Sequence, residues 1–324
     1  MELRKIRIGI LGTASIAQRY VIPTLLGMPD LFELKGIASR SIDRAQELAD
    51  KYSVASYSPY ESMLDDNDLD AVYIPLPNAL HYEWIENSLQ RGLHILVEKS
   101  LACSSSEVIK LSKLADDNRL ALIENFQFRF HSQLQRVIDI MESGEIGELR
   151  CMRSSFGFPP FPDRGNIRYS KLLGGGALLD AGAYPIKLSQ IMLGENINVL
   201  CASLSYNSEH DVDIWGSGTL IDIETGIHSQ ISFGFDNYYQ CSLELWGSKG
   251  RLFTNRIFTA PPNVIPQIEL SSGGNTEILN IEADNHFEKM LKYFHAACQG
   301  KISESKQNIK QSRMIEEFRN KAHE

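Results

Sequence analysis

The chain has 324 residues, 43% hydrophobic and 23% charged, a globular composition long enough for a large core or two domains. Its net charge of −9, with the basic residues dispersed, argues against a nucleic-acid or anionic-membrane partner, since either wants a concentrated basic patch. Cys103, Cys151, Cys201, Cys241 and Cys298 are far apart and lack the paired spacing of a zinc site or redox disulfide, so they read as core thiols in a reducing compartment.

In chain order, the charged start Met1-Glu2-Leu3-Arg4-Lys5 leads straight into a strand, and no long apolar span follows. Neither a signal peptide nor a transmembrane helix is expected, and the inferred location is cytoplasmic. Apolar runs at 6–11, 34–38, 71–75, 95–98 and 120–123 read as strands, and helical patterns fall at about 15–27, 42–52, 79–91 and 105–118. This β-α alternation predicts an α/β domain, a doubly wound parallel sheet over residues 1–126 with right-handed crossovers. After a helix at about 132–143 and the turn at 144–147 the texture changes. Ile231, Phe233 and Phe235 alternate with Gln230 and Ser232, and Cys241, Leu243 and Leu245 with Gln240, Ser242 and Glu244. Period-2 alternation means strands with one face buried, so residues 127–324 are expected to form an α+β domain with an open, mostly antiparallel sheet. Helices are expected there at about 176–193 and 284–298. The tail, 302–324, reads as an amphipathic helix with Ile309, Met314, Ile315 and Phe318 on its apolar side, free to pack back on the first domain.

Chemistry-bearing residues collect at predicted strand ends. The first strand runs into Gly12-Thr13-Ala14-Ser15-Ile16-Ala17, a G-x-A-x-x-A form of the dinucleotide fingerprint. Gly12 allows the tight turn, Ala14 lets backbone N–H groups approach a pyrophosphate, and Ala17 packs helix on strand. A tight turn that binds nothing is the competing reading. The second strand ends in Ser39-Arg40-Ser41, where an NAD enzyme usually carries an acidic residue for the ribose 2′-hydroxyl. Ser39 can donate a hydrogen bond and Arg40 can pair with a 2′-phosphate, so NADP(H) is preferred over NAD(H); Ser41 also suits a helix N-cap. The fourth apolar run ends in Glu98-Lys99, where open α/β sheets bind ligands. A tyrosine hydroxyl is a poor acid–base at neutral pH unless a cation favours its phenolate, and Lys99 with Tyr184 makes such a couple if the fold joins them. Asp180 lies one helical turn before Tyr184, either on the same working face or complementing the helix dipole. Gly174, Gly175 and Gly176 would let that helix N-terminus approach cofactor or substrate. The group Glu209-His210-Asp211-Val212-Asp213 has metal-ligand residue types but reads as a solvated hairpin, and no metal is expected.

Taken together, the 12–17 turn, Pro75-Leu76-Pro77-Asn78-Ala79-Leu80-His81, Glu98-Lys99 and Gly174–176 through Asp180, Tyr184 and Pro185 resemble the glucose–fructose oxidoreductase/inositol dehydrogenase/MocA family over nearly the whole chain. The segments 166–169, 245–251 and 256–262 look most like its nucleotide-sugar 3-ketoreductases. The resemblance implies a Rossmann domain followed by an open-sheet domain through which such proteins often form homodimers or homotetramers. It also implies an NADP-dependent oxidoreductase reducing a keto group, at C3, of a nucleotide-linked deoxysugar. Lys99 and Tyr184 would then be catalytic, and Lys99, Arg129, Asp180 and Tyr184 would touch substrate. The cofactor would meet Gly12, Thr13, Ala14, Ser15, Ile16, Ser39, Arg40, Leu76, Pro77, Asn78, His81, Glu98, Lys99 and Gln127. A free-sugar, inositol or dihydrodiol dehydrogenase and a non-catalytic dinucleotide-binding regulator are the alternatives. The segment 126–131 is expected to face the active-site cleft, with a core β-strand as the competing view. One departure is Ser100, where the family pattern has proline.

Overall fold

The computed structural model describes residues 4–207 and 209–323; Met1-Glu2-Leu3, Ser208 and Glu324 lie outside the described residues, and with them the first three residues of the charged start. The chain divides into two compact units, Met1–Asn125 with Phe287–Ile309 and Phe126–His286 with Lys310–Glu324.

The first unit is built on six parallel strands, β1 (Ile6–Leu11), β2 (Phe32–Ala38), β3 (Ala55–Tyr57), β4 (Ala71–Ile74), β5 (His94–Glu98) and β6 (Leu122–Asn125). Their spatial order is β3-β2-β1-β4-β5-β6, so the direction of winding reverses between β1 and β4 and opens a crevice at their carboxyl ends. Val72, Ile74, Ile95 and Val97 are fully buried, as expected of strands covered on both faces. Helices α1 (Ile22–Leu26), α2 (Ile42–Tyr52), α3 (Tyr60–Leu64), α4 (Asn78–Gln90) and α5 (Ser105–Asp117) provide that cover. The helix expected at 15–27 is instead a π-helical turn, Ala17–Val21, followed by α1. Pro23 has no N–H to continue an α-helical ladder, and the turn before it widens so that Ile22 N–H reaches the Ala17 carbonyl. A capping box between Ser104 and Glu107 starts α5.

The second unit opens with a 3₁₀ turn, Gln127–Phe130, which replaces the alternative of a core strand there. It continues through α6 (Ser132–Ser143), β7 (Leu149–Gly157), a π-helical turn, Leu178–Gly182, and α7 (Ala183–Leu193). Strands β8 (Ile197–Tyr206), β9 (Asp213–Asp222), β10 (His228–Gly234), β11 (Gln240–Gly247), β12 (Gly250–Asn255), β13 (Gln267–Ser272) and β14 (Asn275–Asn280) complete it. The eight-stranded sheet has the order β14-β13-β12-β11-β7-β10-β9-β8. Among the described residues only β7 and β10 pair in parallel in this sheet, so it is the mostly antiparallel one the alternation predicts. Ile231, Phe233, Leu243 and Leu245 fill its covered face. The other face carries Trp215 and Trp246, with Arg153 bonded to Glu244 at 3.1 Å and lying over the Trp246 ring.

Two C-terminal helices finish the chain, α8 (His286–Cys298) and α9 (Ser305–Lys321). From α8, Phe287, Met290, Leu291 and Phe294 are buried in the first unit, Phe287 stacking on Tyr20 at 4.7 Å. His295 meets the Arg4 carbonyl at 2.9 Å, and Asn308 donates to the Leu122 carbonyl at 3.0 Å. Beyond Ile309, α9 belongs to the second unit, where Met314, Ile315 and Phe318 are buried and Gln311 donates to the Ala183 carbonyl at 2.9 Å. No helix among the described residues is long and apolar enough to cross a membrane. Of the five cysteines all are free; Cys241 alone is buried and Cys201 is exposed, so the reading of them as core thiols holds only for Cys241.

Candidate functional site

In the first unit, four strand ends deliver the candidate residues to one sheet edge. Gly12 follows β1 with φ +123°, and a Cβ there would stand 2.9 Å from a Leu76 methyl. Only glycine fits both constraints. Gln18 donates to the Thr13 carbonyl at 2.8 Å and holds the turn. Ser39 and Arg40 follow β2. Ser41 sits at the N-cap of α2 without a side-chain capping bond; its N–H instead donates to Ser39 Oγ at 3.3 Å, and Arg40 is exposed. Beside the turn lies a cavity of about 420 Å³ lined by Thr13, Gln18, Arg44, Glu47, Leu48 and Lys51. Arg44 and Lys51 are two cations the motif reading did not reach; their spacing of seven on α2 puts them on one face.

At the ends of β4, β5 and β6 the carboxylate of Glu98 is held from both sides. Tyr73 donates to it at 2.6 Å and Asn125 at 2.7 Å. Next to Lys99, the Ser100 N–H donates to Asn78 Oδ1 at 3.2 Å and the Leu101 N–H to Glu124 at 2.8 Å. Pro77 is the N-cap residue of α4. Asn125 Oδ1 is buried without a hydrogen-bond partner, as is Gln127 Oε1 in the second unit. Orphaned acceptors of this kind suit a ligand that carries N–H or O–H groups. Tyr73 and Asn125 were legible only as a polar-tipped residue in an apolar strand and a polar strand end.

His81 departs from expectation. It is fully buried, and its two ring nitrogens lie 2.8 Å from the Ser100 and Leu76 carbonyl oxygens. It sits between two backbone segments, and in its neutral form donates to one of the two carbonyls, with no surface for a cofactor. Burial holds its pKa down to about 4 against the pull of those carbonyls.

In the second unit Tyr184 stands in a cage of rings, with Phe126, Phe128, Phe156 and Phe258 at centroid distances of 5.6, 5.8, 5.0 and 5.7 Å. Arg129, in the 3₁₀ turn, lies over the Phe130 ring. Asp180 sits in the π-helical turn ahead of α7, and Arg168 Nε donates to its carboxylate at 2.6 Å. That partner, from the turn Ile167–Tyr169, was not singled out in the sequence. The glycines also have a different purpose from the one expected. A Cβ on Gly175 would lie 2.4 Å from the Arg168 carbonyl oxygen, and one on Gly176, with φ +111°, would lie 2.4 Å from Asp213 Oδ1. They admit protein backbone and a carboxylate rather than opening a helix end to a ligand. Asp213 accepts the Leu178 N–H at 2.6 Å, and burial raises its pKa. Asp211 pairs with Lys171 at 2.8 Å and His210 stacks on Tyr169, so the 209–213 group is dispersed; no cluster able to hold a metal exists among the described residues.

Comparison with known proteins fits this geometry. Residues 6–126 match the model of the oxidoreductase family with an NAD-binding Rossmann fold, and residues 134–253 match the GFO/IDH/MocA C-terminal domain. The dTDP-3,4-didehydro-2,6-dideoxy-alpha-D-glucose 3-reductase of Actinomadura kijaniata is 38% identical over 90% of this chain and 87% of its own length. The D-xylose 1-dehydrogenase (NADP(+)) 2 of Haloferax volcanii is 31% identical over 90% of this chain and 88% of its own. Among solved structures, KijD10, a 3-ketoreductase from Actinomadura kijaniata in complex with NADP and TDP-benzene, superposes with a TM-score of 0.94 at 36% identity, covering 98% of each chain. A two-domain oxidoreductase fold, matched in both halves and shared with relatives along most of its length, makes this chain a member of the GFO/IDH/MocA oxidoreductase family.

Proposed function

We propose that the chain is an NADP(H)-dependent reductase that turns a keto group, at C3, of a nucleotide-linked deoxysugar into an alcohol. The observation that most supports this is its 38% identity, over 90% of the chain, to a 3-reductase of a dTDP-linked sugar. Ser39 and Arg40 add support, because a carboxylate at that strand end would repel a 2′-phosphate. The turn Gly12, Thr13, Ala14, Ser15 and Ile16 would hold the pyrophosphate, and Ser39 and Arg40 the 2′-phosphate. Leu76, Pro77, Asn78, Glu98 and Gln127 would hold the nicotinamide half, and in the first unit the orphaned Asn125 oxygen fits its donors. When bound, the dinucleotide supplies the hydride.

The chain's own residues supply the rest. A carbonyl that accepts hydride also needs a proton on its oxygen. Tyr184 Oη gives that proton, its O–H bond breaking as the new O–H bond forms, and solvent later reprotonates the phenolate. Lys99 brings a positive charge to the developing alkoxide, while Arg129 and Asp180 bind substrate. Replacing Tyr184 with Phe is expected to lower turnover of a dTDP-linked 3-keto sugar about 10²- to 10⁴-fold while NADPH affinity by fluorescence titration stays within about twofold. Unaltered turnover rejects Tyr184 as the acid.

The xylose dehydrogenase relative favours a second reading, oxidation of a free sugar by the same residues. Reduction of NADP⁺ with free aldoses, inositols or diols, without activity on a dTDP-linked ketone, would replace the first reading by this one. We also propose self-association through the outer face of the eight-stranded sheet, where Trp215 and Trp246 are 45% and 54% exposed.

A further inference from the structure

We propose that Arg256, seated on the Tyr239 ring, is the subsite for the diphosphate of a nucleotide-linked substrate. This deepens the reading of the chain as a nucleotide-sugar reductase and rests on it.

The sheet of the second unit brings Arg256 and Tyr184 to one edge. Strand β7 ends at Gly157, which pairs with Gly234 at the end of β10 and with Gln240 at the start of β11, and β12 ends at Asn255 opposite Ser242. Two of the rings around Tyr184 come from this edge. Phe156 is the penultimate residue of β7 and Phe258 follows β12, their centroids 5.3 Å apart. Arg256 stands two residues before Phe258 and is exposed, whereas Ile257 and Phe258 are buried. In a nucleotide sugar the diphosphate hangs on C1, two carbons from a C3 keto group. Its binding group must therefore stand close to the reacting tyrosine without touching it.

The turn that carries Arg256 is tethered along its length. Ile257 N–H donates to the Cys241 carbonyl at 3.2 Å, Phe258 N–H to Cys241 Sγ at 3.4 Å and Thr259 N–H to the Arg256 carbonyl at 3.3 Å. Arg256 itself has φ +56°, the left-handed region that residues with a Cβ seldom occupy. Ser53 and Arg119 share that conformation but lie at helix ends, where it is common; Arg256 follows a strand. Its guanidinium lies 5.6 Å from the Tyr239 ring centroid, and Tyr239 Oη is 3.1 Å from Thr259 Oγ1, so the same turn holds the ring under the cation. Three cations of the loop after β7 have carboxylate partners: Arg164 with Glu209 at 3.8 Å, Arg168 with Asp180 at 2.6 Å and Lys171 with Asp211 at 2.8 Å. Arg256 makes no ion pair among the described residues. In a chain of net charge −9 such a cation keeps its fork for an anion, and a guanidinium takes two phosphate oxygens at once. Because ring and turn already fix it, less freedom is lost when the anion arrives.

The test measures dTDP binding by calorimetry, in the full chain saturated with NADP⁺, for wild type, Arg256→Asn and Arg256→Lys. Asparagine accepts the left-handed backbone, and the site is exposed, so the first change removes the guanidinium and little else. Arg256→Asn is expected to weaken dTDP about 10- to 100-fold, the worth of a charge-assisted hydrogen bond. The KM for a dTDP-linked 3-keto sugar should rise by a similar factor, with kcat changing far less. Arg256→Lys keeps the charge without the fork and is expected to fall between the two. NADPH affinity by fluorescence titration should stay at the wild-type value, which separates the substrate's phosphates from the cofactor's. A loss of NADPH affinity in place of dTDP affinity overturns the assignment. Unchanged dTDP affinity in Arg256→Asn overturns the inference, and a fall in kcat alone does so too, by making Arg256 a prop of the Tyr184 cage; the reductase reading stands in both cases. A wild type that binds no dTDP and reduces NADP⁺ with free sugars ends that reading, and the inference with it.

Discussion

His81 gives the first unit's edge a dependence on pH. Its ordinary pKa of 6.5 is held down to about 4 by burial, so the folded chain refuses a proton that the unfolded chain accepts. Stability is then complete above about pH 6.5 and drains away as pH falls toward 4, by about 3 kcal/mol at most, since each pKa unit is worth about 1.4 kcal/mol. Urea unfolding at intervals from pH 7 to 4 should show this slope in wild type and a flatter one in His81→Gln; equal slopes would remove His81 as its source. Asp70, kept near a pKa of about 2 by its hydrogen bonds to Arg7, begins to lose its contribution at about pH 5, and burial lowers the His94 pKa as well, so the difference between wild type and His81→Gln carries the result. Arg40 carries the cofactor prediction. Arg40→Asp removes a charge-assisted bond worth about 1.5–3 kcal/mol, so the NADPH-over-NADH preference in kcat/KM should fall by about tenfold or more. An unchanged ratio would transfer the role to Arg44 and Lys51.

At the scale of elements, the segment 166–176 behaves as a strap whose fit is set by one absent methyl. Gly175→Ala drives a Cβ into the Arg168 carbonyl, a backbone atom that cannot step aside as a side-chain tip would. A loss of about 1–3 kcal/mol is expected by chemical denaturation, the usual cost of overpacking; a wild-type midpoint would mean that the strap is free to lift. The glycine run was legible in the sequence, but its reason was not, because the atoms it admits come from Arg168 and Asp213, on other segments. Regular elements with strong period were readable: β1, α2 and the alternating β10 and β11 emerge near their expected limits. The three-residue β3 and five-residue α3 are too short to show a period. Both π turns escaped as well, though each precedes a helix with an early proline, Pro23 in α1 and Pro185 in α7. Of the candidate site, Gly12, Ser39, Arg40, Glu98, Lys99 and Tyr184 could be read because each ends or enters an element. Tyr73, Asn125 and Arg168 matter only through partners distant in sequence.

For the molecule as a whole, the second unit's uncovered sheet face is where association is expected. Arg153 over Trp246 and the Arg251–Glu269 pair at 2.7 Å give it a mixed aromatic and charged surface suited to a second copy. Sedimentation velocity should show a dimer or larger for wild type and a shift toward monomer for Trp246→Arg, with the circular dichroism unchanged. A monomeric wild type would end the proposal. The path of the chain has a consequence of another kind. The first unit takes Phe287, Met290, Leu291, Phe294 and Ile309 from residues made after the entire eight-stranded sheet. Its nucleotide-facing edge is therefore translated early, but its core is completed late. During synthesis the six strands of the first unit's sheet are all made before the second sheet begins, yet the fingerprint turn stays on a domain missing one wall until Phe287 to Phe294 leave the ribosome.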